Sequence, residues 1–257
     1  MGEQMFMSER KAKRAKEGSL GETVRIIIHA LILALVVRTF LYQPFNIPSG
    51  SMKSTLLIGD YLFVSKFSYG YSRYSIPFGL PLFEGRIWSD EPERGDVIVF
   101  KLPRDNQTDY IKRLVGLPGD RIQVLDGILY INGNPVPRER VSDYVSTDQS
   151  GHVTRVPRYR ETLPNGVSYT VLDLVQDGFS DNTPVYEVPR GHYFMMGDNR
   201  DNSTDSRVLS QVGYVPYENL IGRADLIFFS IEEDARFWQF WKWPWSIRWE
   251  RLFEKVD

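Results

Sequence analysis

The chain contains no cysteine. That excludes disulfides, zinc–thiolate sites and thiol nucleophiles together, and it leaves the redox compartment open. Histidine is scarce as well, with only His29, His152 and His192 among 257 residues. His29 lies in an apolar run, His152 in a polar stretch, and His192 after Gly191 ahead of an apolar strand, where a structural role is expected. No G-x-S-x-G elbow occurs, so a Ser-His-Asp triad is poorly supported. No H-E-x-x-H or H-x-x-E-H pair occurs, so a zinc hydrolase is not indicated and no metal or cofactor is expected. Asp201-Asn-Ser-Thr-Asp205 resembles the start of a calcium loop but lacks the Gly and Glu that such a loop needs further on. The net charge of −2 gives a general nucleic-acid affinity no support. There is no internal repeat and no low-complexity tract, and no long 3.6-residue pattern lies between residues 60 and 230.

Long hydrophobic runs are limited to one. Ile26 to Val37 is interrupted only by His29 and flanked by Arg25 and Arg38. An uncharged stretch of 12 residues falls short of the ~20 that a bilayer asks for, so a buried core helix or a signal-type segment is a competing reading. Two features favour a membrane span. The flanking arginines can snorkel to headgroups, extending the span to Val24–Tyr42. The cluster Arg10, Lys11, Lys13, Arg14 and Lys16 precedes the run and assigns the N-terminus to the cytoplasm. Arg38-Thr-Phe-Leu41 offers no A-x-A-like cleavage site, so an uncleaved anchor is expected. Residues 1–22 are then a cytoplasmic segment and 23–42 the transmembrane helix.

After Pro44 the texture becomes that of a mostly β protein. Short β-branched and aromatic runs such as Asp60–Ser65, Asp96–Phe100 and Arg121–Val124 alternate with Gly, Pro, Asn and Asp. Ile128–Ile131 is followed by Asn132-Gly133, a type I′ hairpin signal. Residues 43–136 and 185–235 read as the main β domain, and 137–184 as a smaller, polar β region inserted into it. Five of the six tryptophans fall between Trp238 and Trp249. This aromatic-rich tail, residues 236–257, has the composition of an interfacial belt, and packing against the β core accounts for it equally well.

Three segments can carry chemistry. In Phe45-Asn-Ile-Pro-Ser-Gly-Ser-Met52, small residues in a turn let a hydroxyl and a backbone N–H address one point, as an exposed nucleophile with an oxyanion site requires. A plain loop has the same composition. In Asp109–Asp120, Lys112 is embedded among Tyr110, Ile111, Leu114 and Val115. Strand alternation puts Tyr110, Lys112 and Leu114 on one face, where a buried lysine must either snorkel or surrender its proton. In Gly197–Arg207, the density of Asp, Asn, Ser and Arg reads as a hydrogen-bonded charge cluster or as a solvated loop; Asp198 and Asp201 would serve it as structural support.

Taken together and in this order, the three segments resemble the signature boxes of bacterial type I signal peptidases, Ser/Lys serine endopeptidases that cleave signal peptides. The likeness runs from Pro44 to Gly222, including the strand Gly95–Lys101. The resemblance implies that Ser51 is the nucleophile and Lys112 the general base. Ser203 would hydrogen-bond the lysine, and Asp205 and Arg207 would form a structural ion pair. Ser49 Oγ and the Ser51 N–H would form the oxyanion hole. Phe45, Ile47, Pro48, Met52 and Leu56 would line the substrate pockets from the serine segment, joined by Leu62, Val99, Tyr110 and Ile111 from the strands. One departure is Ser54, where many relatives carry proline; a looser turn after Ser51 is expected. Neither 137–184 nor the tail matches a box.

An unperturbed lysine is only about 0.04% neutral at pH 7, so the implied mechanism needs Lys112 desolvated. The expected partners are preproteins bearing signal peptides, cut after a small-x-small motif, and membrane lipids. A monomer in the bacterial inner membrane is expected, with the catalytic domain outside. Tyr42 and Ser51 are nine residues apart, at most ~30 Å of chain, which confines the nucleophile near the bilayer. The rival readings are a self-cleaving repressor, disfavoured by the anchor, and a silent membrane-tethered peptide-binding module.

Overall fold

The computed structural model describes residues 2–76, 83, 85–147, 153–175, 177–232, 239–241 and 243–256, with residues 2–19 described through their backbone. His152 and the tail residues Arg236, Phe237 and Trp238 lie outside these.

One helix, Gly2–Phe40, opens the chain. Its segment Leu20–Phe40 has 21 residues of mean hydropathy 2.1, none of it buried against the rest of the protein. At 1.5 Å per residue such a segment rises roughly 30 Å, the thickness of a bilayer core. The charges at Arg25 and Arg38 therefore fall toward the two ends of the apolar segment. His29 Nδ1 lies 2.6 Å from Arg25 O, so the one polar ring of the run is satisfied by the helix backbone. The helix closes with Leu41 N–H donating to Val37 O at 2.8 Å. Pro44 cannot continue a helix, and it sits instead in an edge strand, where its missing N–H leaves no inner ladder short.

The rest is mostly β. The main sheet is antiparallel and runs in the order Tyr42–Asn46, Asp60–Ser65, Leu220–Ser230, Val97–Lys101, Asp109–Gly116, His192–Met196 and Val215–Pro216. Glu254–Lys255 adds to Leu220–Ser230. That strand has 11 residues and several register shifts. Its first residues pair with Val97–Lys101 and its later ones with Asp60–Ser65. Such irregularities increase local twist and bend the sheet.

Both faces of this sheet are covered, which is why its inner strands read as continuous apolar runs. Val97 and Val99 join a cluster with Ile47, Met52, Leu56, Leu62 and Ile111. Ile98 and Phe100 join the opposite cluster with Leu114, Met195 and Leu220. Each fully buried side chain of this size stabilises the fold by about 1.5–3 kcal/mol.

A four-stranded sheet (Tyr186–Glu187, Arg121–Leu125, Ile128–Ile131, Asn134–Pro135) and a three-stranded one (Ser168–Leu172, Arg158–Thr162, Arg138–Arg140) lie beyond. Tyr144–Thr147 and Val153–Val156 form a separate hairpin. A third apolar cluster unites the two sheets: Ile122 and Leu129 pack with Leu163, Val171 and Phe194. Asn132 and Gly133 have φ of 54° and 81°, the left-handed pair that a type I′ turn demands.

Candidate active site

The connection between Tyr42–Asn46 and Asp60–Ser65 is drawn closed by Ile47 N–H to Asp60 O at 2.9 Å and Gly59 N–H to Ile47 O at 3.1 Å. Within it, Gly50–Met52 makes one 3-10 turn. Met52 and Leu56, both fully buried, pin this turn to the core. Asn199 fixes it from the other side: its Nδ2 donates to Gly50 O at 3.0 Å, and its N–H to Ser51 O at 3.1 Å. Ser51 is thereby held with 8% exposure, and Ser49 Oγ lies 3.4 Å from Ser51 Oγ. The first N–H groups of such a turn have no acceptor inside it.

Lys112 lies in Asp109–Gly116, flanked on both sides by paired strands, with Ile98 as its register partner. It is 3% exposed. Its Nζ is 2.8 Å from Ser51 Oγ and donates to Ile111 O at 2.8 Å. The Tyr110 ring centroid is 5.2 Å from Nζ. Burial lowers the Lys112 pKa to about 8, against the opposing pull of Asp205 and Asp198. The pair can exchange a proton: an ammonium donates across 2.8 Å, and a neutral amine would accept across the same gap.

The segment Gly197–Arg207 is a bonded charge cluster rather than a solvated loop. Arg207 grips Asp205 through Nε and Nη2 at 2.9 and 2.8 Å, both side chains being buried. Burial works to raise the Asp205 carboxyl, but Arg207 overrides it and holds the pKa below the usual value. Gly197 N–H and Ser203 Oγ also donate to Asp205 Oδ2, at 3.0 and 2.7 Å. The Ser203 proton therefore goes to Asp205. Among the described residues the hydrogen-bond partners of Lys112 Nζ are Ser51 and Ile111, not Ser203. A hydroxyl that donates to Asp205 keeps its lone pairs, so Ser203 can address the amine only as an acceptor. Asp201 is placed apart: its Oδ2 accepts the N–H groups of Leu174 and Val175 at 2.5 and 3.0 Å and ties the second β region to this cluster.

Several supporting residues escape a reading of sequence. Arg113, fully buried, forks onto Asp198 at 2.9 and 2.8 Å and donates to Gly95 O at 2.7 Å. Thr55 Oγ1 donates to Asp198 at 2.6 Å, linking the serine turn to the same carboxylate. Glu161 pairs with Arg200 behind it, both buried. A cation directly after Lys112, in a strand otherwise apolar, is the one signal that pointed to Arg113. Ser54 does not leave its turn loose. Its hydroxyl donates to Thr170 O at 3.0 Å and shares a 2.6 Å bond with Thr170 Oγ1.

Of the wall residues, Phe45, Ile47, Met52, Leu56, Leu62, Val99 and Ile111 pack in one cluster beside the turn. Met52, Leu56 and Leu62 lie wholly beneath the surface, whereas Pro48 is exposed and Phe45 and Tyr110 are half-buried. Tyr110 packs with the opposite cluster around Phe100.

Gly197 sets the closest tolerance in the site. A Cβ there would lie 2.2 Å from Ser203 Oγ and 2.6 Å from Ser51 O. Displacing these atoms by even an ångström misaligns the reacting groups, so Gly197→Ala is expected to lower kcat/KM by about 10². Steady-state kinetics beside a thermal melt checks this; unaltered kinetics would show that the contact does not matter.

A mostly β scaffold that buries an alcohol and an amine in contact has the arrangement that a serine hydrolase of the Ser/Lys kind requires. The comparisons carry this further. The family model described as signal peptidase, peptidase S26, matches residues 20–229. A signal peptidase I from Rickettsia typhi is 46% identical over 208 residues, covering 78% of this chain and 76% of the relative. One from Rickettsia canadensis is 47% identical over 206 residues, covering 77% and 76%. A crystal structure of a signal peptidase I from Enterococcus faecalis shares 29% identity over 52% of this chain and 97% of its own, with a TM-score of 0.31. The chain belongs to the signal peptidase family, peptidase S26. Membership makes it a serine protease that removes signal peptides.

Proposed function

We propose that Ser51 is the nucleophile and Lys112 the general base of this peptidase, and that it cuts secreted preproteins after a small-x-small motif. The observation that carries the proposal is the 2.8 Å separation of Lys112 Nζ and Ser51 Oγ, with the amine 3% exposed. With a pKa of about 8, roughly a tenth of the amine is neutral at pH 7, a gain of more than two orders of magnitude over a solvated lysine. The neutral amine takes the Oγ proton as Oγ attacks the scissile carbonyl, then returns it to the departing amine. The acyl-enzyme is released when water, deprotonated by the same amine, attacks it. The oxyanion would be met by the Ser51 N–H and the Ser49 hydroxyl. Asp205, itself bound by Arg207, holds Ser203 in place to accept from the amine. The half-buried Phe45 and Tyr110 and the exposed Pro48 would touch substrate, while the buried Met52, Leu56 and Leu62 would shape the wall from behind.

The helix Leu20–Phe40 can span a membrane by length and composition. The basic residues before it favour a cytoplasmic N-terminus, with a monomeric catalytic domain on the outer side of the bacterial inner membrane. Cleavage sites emerging there would meet the site without long diffusion. The test is to incubate the full chain, in detergent or bilayer, with a secreted precursor and map the product ends. A single cut after a small-x-small triplet, abolished by Ser51→Ala, is expected. A cut at that place by the Ser51→Ala protein would remove Ser51 from the mechanism.

A further inference from the structure

Lys66 is a second buried ammonium, and peptide cleavage makes no use of it. It follows the strand Asp60–Ser65 and is only 3% exposed. Its backbone N–H donates to Leu41 O at 3.0 Å, directly beside the end of the apolar helix. Its Nζ donates to Ser75 O at 2.7 Å. An ammonium has three protons to place, and among the described residues this carbonyl is the hydrogen-bond partner of Nζ. Burial and the nearby charges of Arg38 and Lys101 lower its pKa to about 8, with Asp109 opposing.

Arg38, Lys66 and Lys101 line one cavity of about 440 Å³, together with Gln43 and Asn106. Asp109 is the carboxylate on that wall, and Lys101 holds it at 2.7 Å. The cavity thus presents three cations against one anion. Its location restricts what fills it. Arg38 belongs to the last turn of the apolar helix. The helix end is fixed to the β domain by Tyr71 OH donating to Phe40 O at 2.7 Å and by the Phe40–Tyr71 edge contact. Phe40, Tyr42, Phe67 and Trp88 are all exposed in this neighbourhood, at 48%, 38%, 45% and 79%. Aromatic side chains around the emerging end of a span are suited to the headgroup layer. A soluble anion would not need this apolar and aromatic setting.

We propose that this cavity is a binding site for the phosphate of an anionic phospholipid, taken from the leaflet where the helix leaves the bilayer and seated between Arg38, Lys66 and Lys101. The proposal rests on the helix spanning a membrane and is independent of the peptidase chemistry. A bound phosphodiester supplies the counter-charge that Lys66 lacks and fixes the β domain against the membrane surface.

The experiment is native mass spectrometry of the full chain in detergent, titrated with phosphatidylglycerol, phosphatidylcholine or inorganic phosphate. The variant is Arg38→Gln/Lys101→Gln, which changes the cavity rim and leaves the buried Lys66–Ser75 bond intact. The wild type should retain phosphatidylglycerol in preference to phosphatidylcholine, and millimolar phosphate should not displace it. The double variant should lose about 30-fold in affinity for phosphatidylglycerol, near fivefold for each interfacial cation. Ser51→Ala should bind as the wild type does, so that a failed nucleophile assignment leaves the lipid result intact. Equal affinity for the two lipids, undiminished binding by the double variant, or displacement by inorganic phosphate would each overturn the proposal.

Discussion

Replacing Lys112 by arginine is expected to reduce kcat/KM on a precursor by at least about a thousandfold, because the charge remains while the capacity to act as a base is lost. Lys112 Nζ lies 2.8 Å from Ser51 Oγ, the proposed nucleophile, and is almost wholly buried, so no solvent base can take its place without a gap opening. The wild type should show a rising limb in kcat/KM with pH. Below about pH 8, the value to which burial lowers this amine, the rate should fall roughly tenfold per unit, since only the neutral form accepts a proton. Above it the rate should level off. The same desolvation opposes folding. Between the folded pKa of about 8 and the higher unfolded value, the unfolded chain binds more protons, so stability rises with pH across that window. Below pH 8 the full penalty is present, up to roughly 3 kcal/mol. Lys112→Met should therefore melt no lower than the wild type at pH 7 while being inactive. A substantially active Lys112→Arg protein, or a flat pH profile between 6 and 9, would remove Lys112 from the base role.

How far the sequence anticipates this protein depends on the range of the interactions. Local signals are clear. The strands Asp60–Ser65, Arg121–Leu125 and Ile128–Ile131 lie where β-branched runs and turn residues indicate them, and Asn132-Gly133 adopts the conformation its chemistry favours. The burial of Lys112 follows from its apolar neighbours, because a strand in mid-sheet has two covered faces. Its meeting with Ser51, 61 positions away, could be expected only through resemblance to a family. Periodicity is silent about which distant turn a strand will touch. Pairings of that kind set the second region as well. Ile122 and Leu129 share a core with Leu163 and Val171, contacts between segments whose partnership no local pattern encodes. Ser203 shows a subtler limit. A serine two positions before an aspartate readily bonds to it, and that local choice leaves its hydroxyl able to meet the lysine only as an acceptor. Ser54 is the reverse case: its side chain supplies, through Thr170, a constraint that its backbone does not.

Removing the Asp198 carboxylate tests the layer beneath the reacting pair. Arg113 is fully buried, and its guanidinium forks onto Asp198 at 2.9 and 2.8 Å. Burial alone would lower the Arg113 pKa, yet Asp198 outweighs it and raises the value. Gly95 O, Thr55 Oγ1 and the face of Tyr169 at 4.2 Å are among the contacts of this cation that Asp198→Ala leaves in place. Removing one member of a buried, doubly hydrogen-bonded ion pair is expected to cost about 3–5 kcal/mol, a fall in melting temperature on the order of 10 °C for a domain of this size. Pairwise replacement separates charge from packing. Arg113→Met/Asp198→Leu removes both ions and should regain much of that loss, because an ion pair gains little over apolar groups of similar volume. The pH profile adds a readout that a purely structural role would not move. Asp198 is one of two carboxylates holding the Lys112 pKa up, so deleting its charge should shift the rising limb of kcat/KM to lower pH. In Asp198→Ala the Arg113 charge, no longer offset by Asp198, pushes in the same direction, and in the double variant the limb should lie between the two. A limb that stays fixed while stability falls would mean that the pair supports the strand and has no electrostatic hold on the amine.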